Sequence, residues 1–272
     1  MTAVTAPTDV ARHGLAPPQR HRHVVKDAVT MAWRNILNLK RTPELVMFAT
    51  IQPIIFVLMF RFVFGGSIDT GRIPYVDFLM PGIFLQVVVF GSLATAIGLA
   101  TDLKSGLMER FHALPMWTPA VLVGRTVADL IRNVFVVFLM MVVGFLVGWR
   151  IHTTVLALLP GISLILLFGW AMSWIFATVG LAVKDPETAQ AAAFPVLAPL
   201  VFASAAFVPV LSMPGWLQPW ARNQPVSVTI ETFRALTLGG PTSSLVIKTI
   251  LWSVLIIAIF APIAVRLYRK AV

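Results

Sequence analysis

Long stretches without charged side chains dominate this sequence and constrain its fold more than any other feature. Residues 78–101 and residues 154–183 carry no charge at all. Because a helix rises about 1.5 Å per residue, each stretch can cross a hydrocarbon core about 30 Å thick. The 272-residue chain is 58% hydrophobic and 12% charged, with a mean hydropathy of +0.87. A soluble domain of this size needs a larger polar shell, so the sequence predicts an integral membrane protein.

The chain divides into a short tail and one helical membrane domain, residues 24–272. Residues 1–23 lack the apolar core of a signal peptide, and we interpret them as a disordered cytoplasmic tail. Apolar residues then recur at helical spacing over residues 24–41, which predicts an amphipathic helix in the membrane interface. Six transmembrane helices follow, at about residues 43–64, 78–101, 119–149, 154–183, 189–210 and 245–268. The predicted fold class is therefore all-α and integral to the membrane.

Positive charge in the flanking segments predicts the orientation. Seven Lys and Arg residues lie in the tail and interface helix, and three lie near the C-terminus: Arg12, Arg20, Arg22, Lys26, Arg34, Lys40, Arg41, Arg266, Arg269 and Lys270. Because cytoplasmic segments retain positive charge, both termini are predicted to be cytoplasmic in a multi-pass protein of the plasma membrane. Termini on the same side of the membrane require an even number of spans, and six spans meet this requirement. Residues 211–244, rich in Trp and Pro, then form an extracellular segment of short helices that re-enters the bilayer between spans five and six.

Several functional classes are excluded or disfavoured by missing motifs. The net charge of +10 is spread among apolar segments rather than clustered, which argues against nucleic-acid binding. The chain has no Cys, no Gly-Lys dipeptide of a phosphate-binding loop and no Gly-x-Gly of a dinucleotide site. His21 and His23 lie in the tail without further metal ligands. We therefore predict no enzyme activity, no metal site and no cofactor in this chain.

Charged residues inside a span are costly and require an explanation. Arg125, Asp129 and Arg132 lie on one face of the third span, where the spacing permits an ion-pair ladder at its cytoplasmic end. A structural ladder is favoured over a role in gating or partner contact. Arg61, near the outer end of the first span, is interpreted as an interfacial anchor.

A substrate pathway is indicated only weakly. The second span carries Gln86, Ser92 and Thr95, and the fifth span carries Phe194, Phe202 and Ser204. Mixed polar and aromatic residues of this kind can line an amphipathic pathway, although ordinary helix packing accounts for them nearly as well. The second, fourth, fifth and sixth spans contain no interior Asp or Glu, which disfavours a proton-driven carrier.

Two polar segments carry a family resemblance. The first is the insert Asp102-Leu-Lys-Ser-Gly-Leu-Met-Glu-Arg-Phe-His-Ala-Leu-Pro-Met116. The second is Pro214-Gly-Trp-Leu-Gln-Pro-Trp-Ala-Arg-Asn-Gln-Pro-Val-Ser227, followed by Phe233-Arg-Ala-Leu236. With the interface helix and six spans, they resemble ABC type-2 exporter permeases, most closely the daunorubicin-resistance type, which includes actinobacterial exporters of drugs and envelope lipids.

The resemblance implies a division of labour between subunits. Two permease subunits, the same or sister chains, would form the pathway, and two separate ABC ATPase subunits would bind ATP and Mg²⁺. The insert would be the coupling helix, so the resemblance assigns ATPase contacts to Asp102, Lys104, Glu109 and Arg110, and to Trp33 and Arg34 of the interface helix. The implied function is ATP-driven, alternating-access export of an amphipathic drug or lipid-like compound, associated with multidrug resistance.

Two alternatives stay open at the level of sequence. One is a proton-driven carrier or channel that works without an ATPase, and the other is a membrane scaffold without transport activity. The substrate, the choice between homodimer and heterodimer, and the identity of the ATPase are not determined by these residues.

Overall fold

The computed structural model describes residues 24–41, 43–66, 68, 70–71, 73–108, 119–183 and 185–271. These residues form helices and connecting turns, without β-strands, which confirms the predicted all-α class for this part of the chain. The α-helices are α1 Val24–Arg41, α2 Pro43–Met59, α3 Tyr75–Gly91, α4 Leu93–Lys104, α5 Ala120–Val147, α6 Leu158–Ala182, α7 Pro186–Phe202, α8 Gln218–Asn223, α9 Pro225–Leu238 and α10 Ser243–Ala271. The predicted tail, residues 1–23, lies outside the described residues.

Four helical segments are long and apolar enough to cross a membrane. They are Tyr75–Lys104, Ala120–Val147, Val155–Ala182 and Ser243–Ala271. The first combines α3 and α4, and the third combines α6 with a short 3₁₀ turn, Val155–Ala157. Since all four overlap predicted spans, the chain is a multi-pass membrane protein.

The helices at the first and fifth predicted spans are shorter. Helix α2 has 17 residues with Pro53 inside it, and a π-helix, Phe60–Phe64, continues it. Helix α7 also has 17 residues and contains Pro195 and Pro199. Helix α7 ends at Phe202, before the predicted end of the fifth span at residue 210. Internal proline removes a backbone donor and crowds the preceding turn, which explains why these two segments are less regular than an apolar run suggests.

Helix α6 is the centre of the bundle and packs against α3, α4, α5, α7, α9 and α10. Its contact with α4 is very close at Gly180, where an added Cβ atom would lie 2.4 Å from the Ala96 carbonyl oxygen. Lipid chains are as apolar as Leu side chains, so small residues that let backbones approach are a main source of helix association in membranes. The glycine therefore sets the distance between α4 and α6.

A break at Ser92 separates α3 from α4. The Ser92 hydroxyl donates to the Val88 carbonyl on its own helix and to the Gly169 carbonyl on α6, both at 3.1 Å. A serine side chain that bonds to backbone in this way competes with the helix and bends it. After the break, the Thr95 amide donates to the Ser92 carbonyl at 3.0 Å, three residues back rather than four. The Gly91 carbonyl thereby becomes available to a side chain from another helix.

The segment between α7 and α10 folds back into the bundle. Helix α9 buries Val226, Ile230 and Phe233 in the core formed with α3 and α6. Phe233 meets Phe84 of α3 edge-on, with ring centroids 5.5 Å apart. The short helix α8 and its surroundings are more open, and Trp216 is 80% exposed. The predicted extracellular segment thus consists of an exposed part before α9 and a helix that is an integral part of the core.

Candidate functional site

Helix α1 packs against one end of the bundle. Met31 and Ala32 are buried, and an added Cβ atom at Gly124 of α5 would lie 2.4 Å from the Met31 Cβ atom. Met31 belongs to a second core cluster that includes Leu99 of α4 and Tyr268 of α10. Helix α1 therefore packs mainly on α5 and shares a core cluster with α4 and α10.

An ion pair connects α1 to the end of α4. The Arg34 Nη2 atom lies 3.1 Å from the Asp102 Oδ2 atom, and the two side chains are 26% and 14% exposed. Asp102 is the first residue of the predicted coupling insert, so two of the predicted ATPase-contact residues from distant parts of the sequence are brought together. Trp33 does not share this contact and is 61% exposed. Glu109 and Arg110 lie outside the described residues.

A second ion pair connects α4 to the loop that precedes α7. The Lys104 Nζ atom lies 2.8 Å from the Asp185 Oδ1 atom, with both side chains about half exposed. Exposed pairs of this kind typically contribute at most about 1 kcal/mol to stability. Its main effect is to hold the start of the predicted coupling insert beside the second short loop, Lys184-Asp185-Pro186-Glu187.

The charged face of α5 forms only one of the two ion pairs that the spacing permits. Asp129 pairs with Arg132, Oδ1 to Nη1, at 3.2 Å, and also accepts a hydrogen bond from Thr95 of α4. Arg132 donates to the Gly91 carbonyl that the break at Ser92 leaves available, and its side chain is 11% exposed. Arg125 instead donates to the Ala94 carbonyl at 2.8 Å. The predicted pairing of Asp129 with Arg132 is therefore confirmed, and the prediction is wrong for Arg125, which bonds to the backbone of α4 instead.

A cavity of about 580 Å³ lies between α1, α2, α3, α4 and α5. Arg125, Asp129, Arg132 and Asp102 supply charged groups to its wall, and apolar residues of all five helices supply the remainder. Gln86 also lines it, with its side-chain oxygen buried and without a hydrogen-bond partner among the described residues. A volume of this size accommodates a drug-sized molecule or a lipid head group.

The predicted pathway residues of the second span separate into two groups. Gln86 lines the cavity. Ser92 and Thr95 are buried, and their hydroxyls donate to Gly169 and to Asp129. These two side chains hold neighbouring helices together, which was the alternative explanation for them.

The predicted pathway residues of the fifth span also differ from one another. Phe194 and Phe202 of α7 are 53% and 48% exposed, so they belong to the outer surface of this single chain. Ser204 is buried, and its hydroxyl donates to the Val201 carbonyl at 2.5 Å and accepts from the Ala206 amide at 3.2 Å. In this chain Ser204 organises the turn after α7.

Two buried residues of the Asn223-to-Leu236 region were not assigned a role from the sequence. The Gln224 Nε2 atom donates to the Leu200 and Ala203 carbonyls at 3.0 and 2.9 Å, where α7 ends. The Arg234 Nη2 atom donates to the Phe78 and Ala205 carbonyls at 2.8 and 3.0 Å, and its guanidinium carbon lies 3.7 Å from the centre of the Phe78 ring. The signals that could have indicated them were the polar residue before Pro225 at the start of α9, and the arginine that lies directly after Phe233 within α9.

Comparisons with known proteins assign the family. The family model described as "ABC-2 type transporter" matches residues 27–238. The chain is 34% identical over 246 residues to the daunorubicin resistance ABC transporter permease protein DrrB1 of Streptomyces coeruleorubidus, covering 90% of this chain and 87% of that protein. It is 31% identical over 238 residues to the probable doxorubicin resistance ABC transporter permease protein DrrC of Mycobacterium tuberculosis, covering 83% and 82%.

A more distant relative is the putative transport permease ycf38 of Cyanophora paradoxa, 26% identical over 222 residues, covering 78% of this chain and 74% of that protein. The matched region runs from α1 to the end of α9, so it contains both the Arg34–Asp102 contact and the helix that carries Arg234. The chain belongs to the ABC-2 type transporter family.

Proposed function

We propose that this chain is the membrane-spanning permease subunit of an ATP-driven exporter that moves an amphipathic drug or lipid-like compound out of the cell. Permeases named for daunorubicin and doxorubicin resistance are similar to it over most of its length. The chain performs no ATP hydrolysis in this proposal. Two ABC ATPase subunits bind ATP and Mg²⁺, and a second permease subunit, the same or a sister chain, completes the pathway.

The proposed topology has six spans, with both termini in the cytoplasm. Helices α2 and α7 form the two shorter spans, and the segment around α8 and α9 re-enters from outside. The absence of cysteine from the chain offers a direct test. Single substitutions Ser105→Cys and Leu211→Cys, both at exposed positions, should react with a membrane-impermeant maleimide from the cytoplasmic and outer side respectively. Labelling of both from one side would refute the topology.

The Arg34–Asp102 ion pair is the observation that carries the proposed mechanism. It joins the interface helix to the start of the insert, and Lys104–Asp185 joins that insert to the second short loop. Two ATPase-facing segments are thereby connected to each other and to the bundle. Closure of the ATPase dimer would move them together, and a difference in affinity between the two nucleotide states would shift the permease between inward-open and outward-open forms.

A charge exchange at this pair tests the proposal. Arg34→Asp and Asp102→Arg should each lower substrate-stimulated ATPase activity of the purified complex, because each places like charges about 3 Å apart. The double variant should regain much of it. Arg222→Asp, at an exposed position of α8 far along the sequence, serves as the control. Full activity in both single variants would contradict the assignment.

Glu109 and Arg110 remain proposed ATPase contacts, as does exposed Trp33. Replacing Glu109 with Ala should reduce substrate-stimulated ATPase activity or assembly of the complex, measured by copurification of the two subunits. Unchanged export together with unchanged assembly would remove Glu109 from the coupling surface.

The buried carboxylate in α5 argues against a proton-driven carrier. Asp129 pairs with Arg132 and accepts a hydrogen bond from Thr95. Both contacts are made inside the bundle, so this carboxylate belongs to the packing of α5 against α4. An ATP-driven mechanism also fits the family better, because the similar proteins are named as permeases of ABC transporters.

A further inference from the structure

The wall of the cavity between α1, α2, α3, α4 and α5 carries two arginines and two aspartates, Arg125, Arg132, Asp102 and Asp129. Asp129 is paired with Arg132, and Asp102 is paired with Arg34, which does not line the cavity. Both aspartates therefore have a counter-ion, and Arg125 is the charged group of this wall that has none among the described residues.

Arg125 is positioned by glycine to lie in this wall. A Cβ atom added at Gly98 of α4 would fall 1.6 Å from the Arg125 Nη2 atom, so only glycine leaves room for the guanidinium there. The Nη2 atom donates to the Ala94 carbonyl. A guanidinium has five N–H donors, and the described side chains supply no carboxylate to this one. Its remaining donors and its charge are therefore available to a ligand.

The cavity also offers a second polar group. The buried Gln86 oxygen has no hydrogen-bond partner among the described residues, although Gln86 is only 5% exposed. A buried acceptor without a partner costs about 1–3 kcal/mol, and a hydroxyl or similar donor on a ligand would relieve that cost. Between these polar groups the wall is apolar, with Phe90, Ile97 and Val136.

The cavity runs along α3 and α4 over a length of helix comparable to the thickness of one membrane leaflet. Asp102 and Gln86, sixteen positions apart, mark its extent along α3 and α4, or about 24 Å of helix. Half of a bilayer with its head groups is about 20–22 Å thick. The volume, about 580 Å³, suits a head group rather than a complete two-chain lipid. The apolar outer faces of α2 and α5, which expose Ile55 and Phe135, provide a surface for acyl chains.

We propose that this cavity binds the anionic, phosphate-type head group of a membrane amphiphile, with Arg125 as its main ligand. Arginine is the favoured partner of such groups because its planar fork donates two parallel hydrogen bonds. Gln86 would accept from a hydroxyl of the same head group, and the acyl chains would remain against α2 and α5. Binding of this kind requires neither ATP nor the partner ATPase, so it stands or falls separately from the proposed export function.

The test is lipid binding by the purified full-length chain in neutral detergent, measured by native mass spectrometry. Phosphatidylglycerol, phosphatidylcholine and inorganic phosphate are the three probes. We expect phosphatidylglycerol to bind at least tenfold more tightly than phosphatidylcholine, and inorganic phosphate to bind much more weakly than either. Arg125→Gln should lower phosphatidylglycerol affinity about tenfold, the value of one charge-assisted hydrogen bond. Arg222→Gln, at an exposed position of α8 that does not line the cavity, should leave it unchanged.

Ala94→Phe is a second variant that fills the cavity without removing a charge, since Ala94 lines it. This variant should also lower the affinity for phosphatidylglycerol. It provides a second test of the cavity if the Arg125→Gln variant does not fold. Equal affinity for the anionic and zwitterionic lipids would overturn the proposal, as would an unchanged affinity in both cavity variants. Inorganic phosphate binding as tightly as the lipid would show a site for a soluble anion and would equally overturn it.

Discussion

Replacing Gly180 with alanine tests the close packing of α6 on α4. The added Cβ atom would lie 2.4 Å from the Ala96 carbonyl oxygen and 2.7 Å from the Ala96 Cα atom. Both are backbone atoms, so the two helices must move apart to relieve the clash. Overpacking costs about 1–3 kcal/mol, and a backbone clash belongs at the upper end. Alanine's better helix propensity returns about 1 kcal/mol, which leaves a net loss of about 2 kcal/mol.

The free energy of unfolding can be measured in mixed lipid–detergent micelles by titration with SDS, followed by far-UV circular dichroism. Gly215→Ala is the matched control, because a Cβ atom there meets nothing within 4 Å. It should unfold like the wild type. A Gly180→Ala variant whose unfolding free energy stays within about 0.5 kcal/mol of wild type, the ordinary range of a surface substitution, would refute the close contact of α4 and α6.

Three further sets of substitutions test the buried polar contacts by the same titration. Asp129→Asn should lower the free energy of unfolding by about 3 kcal/mol, because removing one partner of a buried ion pair leaves the charge of Arg132 uncompensated. Adding Arg132→Gln should recover part of that loss. Strictly additive effects of the two substitutions would contradict the pairing. Arg234→Gln should destabilise by about 3 kcal/mol, because it leaves buried carbonyls and Glu231 without their donor. Arg234→Lys should rescue little, because one ammonium cannot reach both the two carbonyls that Nη2 contacts, of Phe78 and Ala205, and the Glu231 carboxylate that Nη1 contacts; equal stability of the Lys variant would count against this geometry. The Thr232 and Thr249 hydroxyls lie 2.8 Å apart, so a double-mutant cycle with valine should give a coupling of about 0.6 kcal/mol, typical of membrane proteins, and zero coupling would exclude the bond.

The fold class could be predicted because lipid imposes a simple rule on sequence. A segment that crosses a bilayer must satisfy its own backbone and be apolar, so residues 154–183 could hardly be other than a helix. The prediction was weakest where proline interrupts the apolar pattern. Hydropathy records neither the lost backbone donors of Pro195 and Pro199 inside α7 nor the Gln224 side chain that bonds to the carbonyls where α7 ends, well before the predicted end of the fifth span.

The site was predictable in its residue types but not in its contacts. Helical spacing placed Arg125, Asp129 and Arg132 on one face, yet the pairing depends on a carbonyl released by the break at Ser92, 37 positions before Asp129. The Arg34–Asp102 contact joins residues 68 positions apart. Family resemblance assigned both residues to the ATPase-facing surface, and only the packing of α1 on α5 brings them together. Arg234 was not assigned a role from the sequence, because a single arginine in a short helix is usually exposed. Only the packing of α9 against α3 shows that it is buried.

The most direct measurement of the central proposal is transport by the purified permease and its ATPase subunits in inside-out proteoliposomes. A fluorescent amphiphile should accumulate in the lumen when ATP and Mg²⁺ are present outside, and accumulation should persist when a protonophore collapses the proton gradient. Asp102→Arg should abolish it, and Arg34→Asp in the same chain should restore it. Accumulation that needs a proton gradient and proceeds without the ATPase subunits would contradict the account.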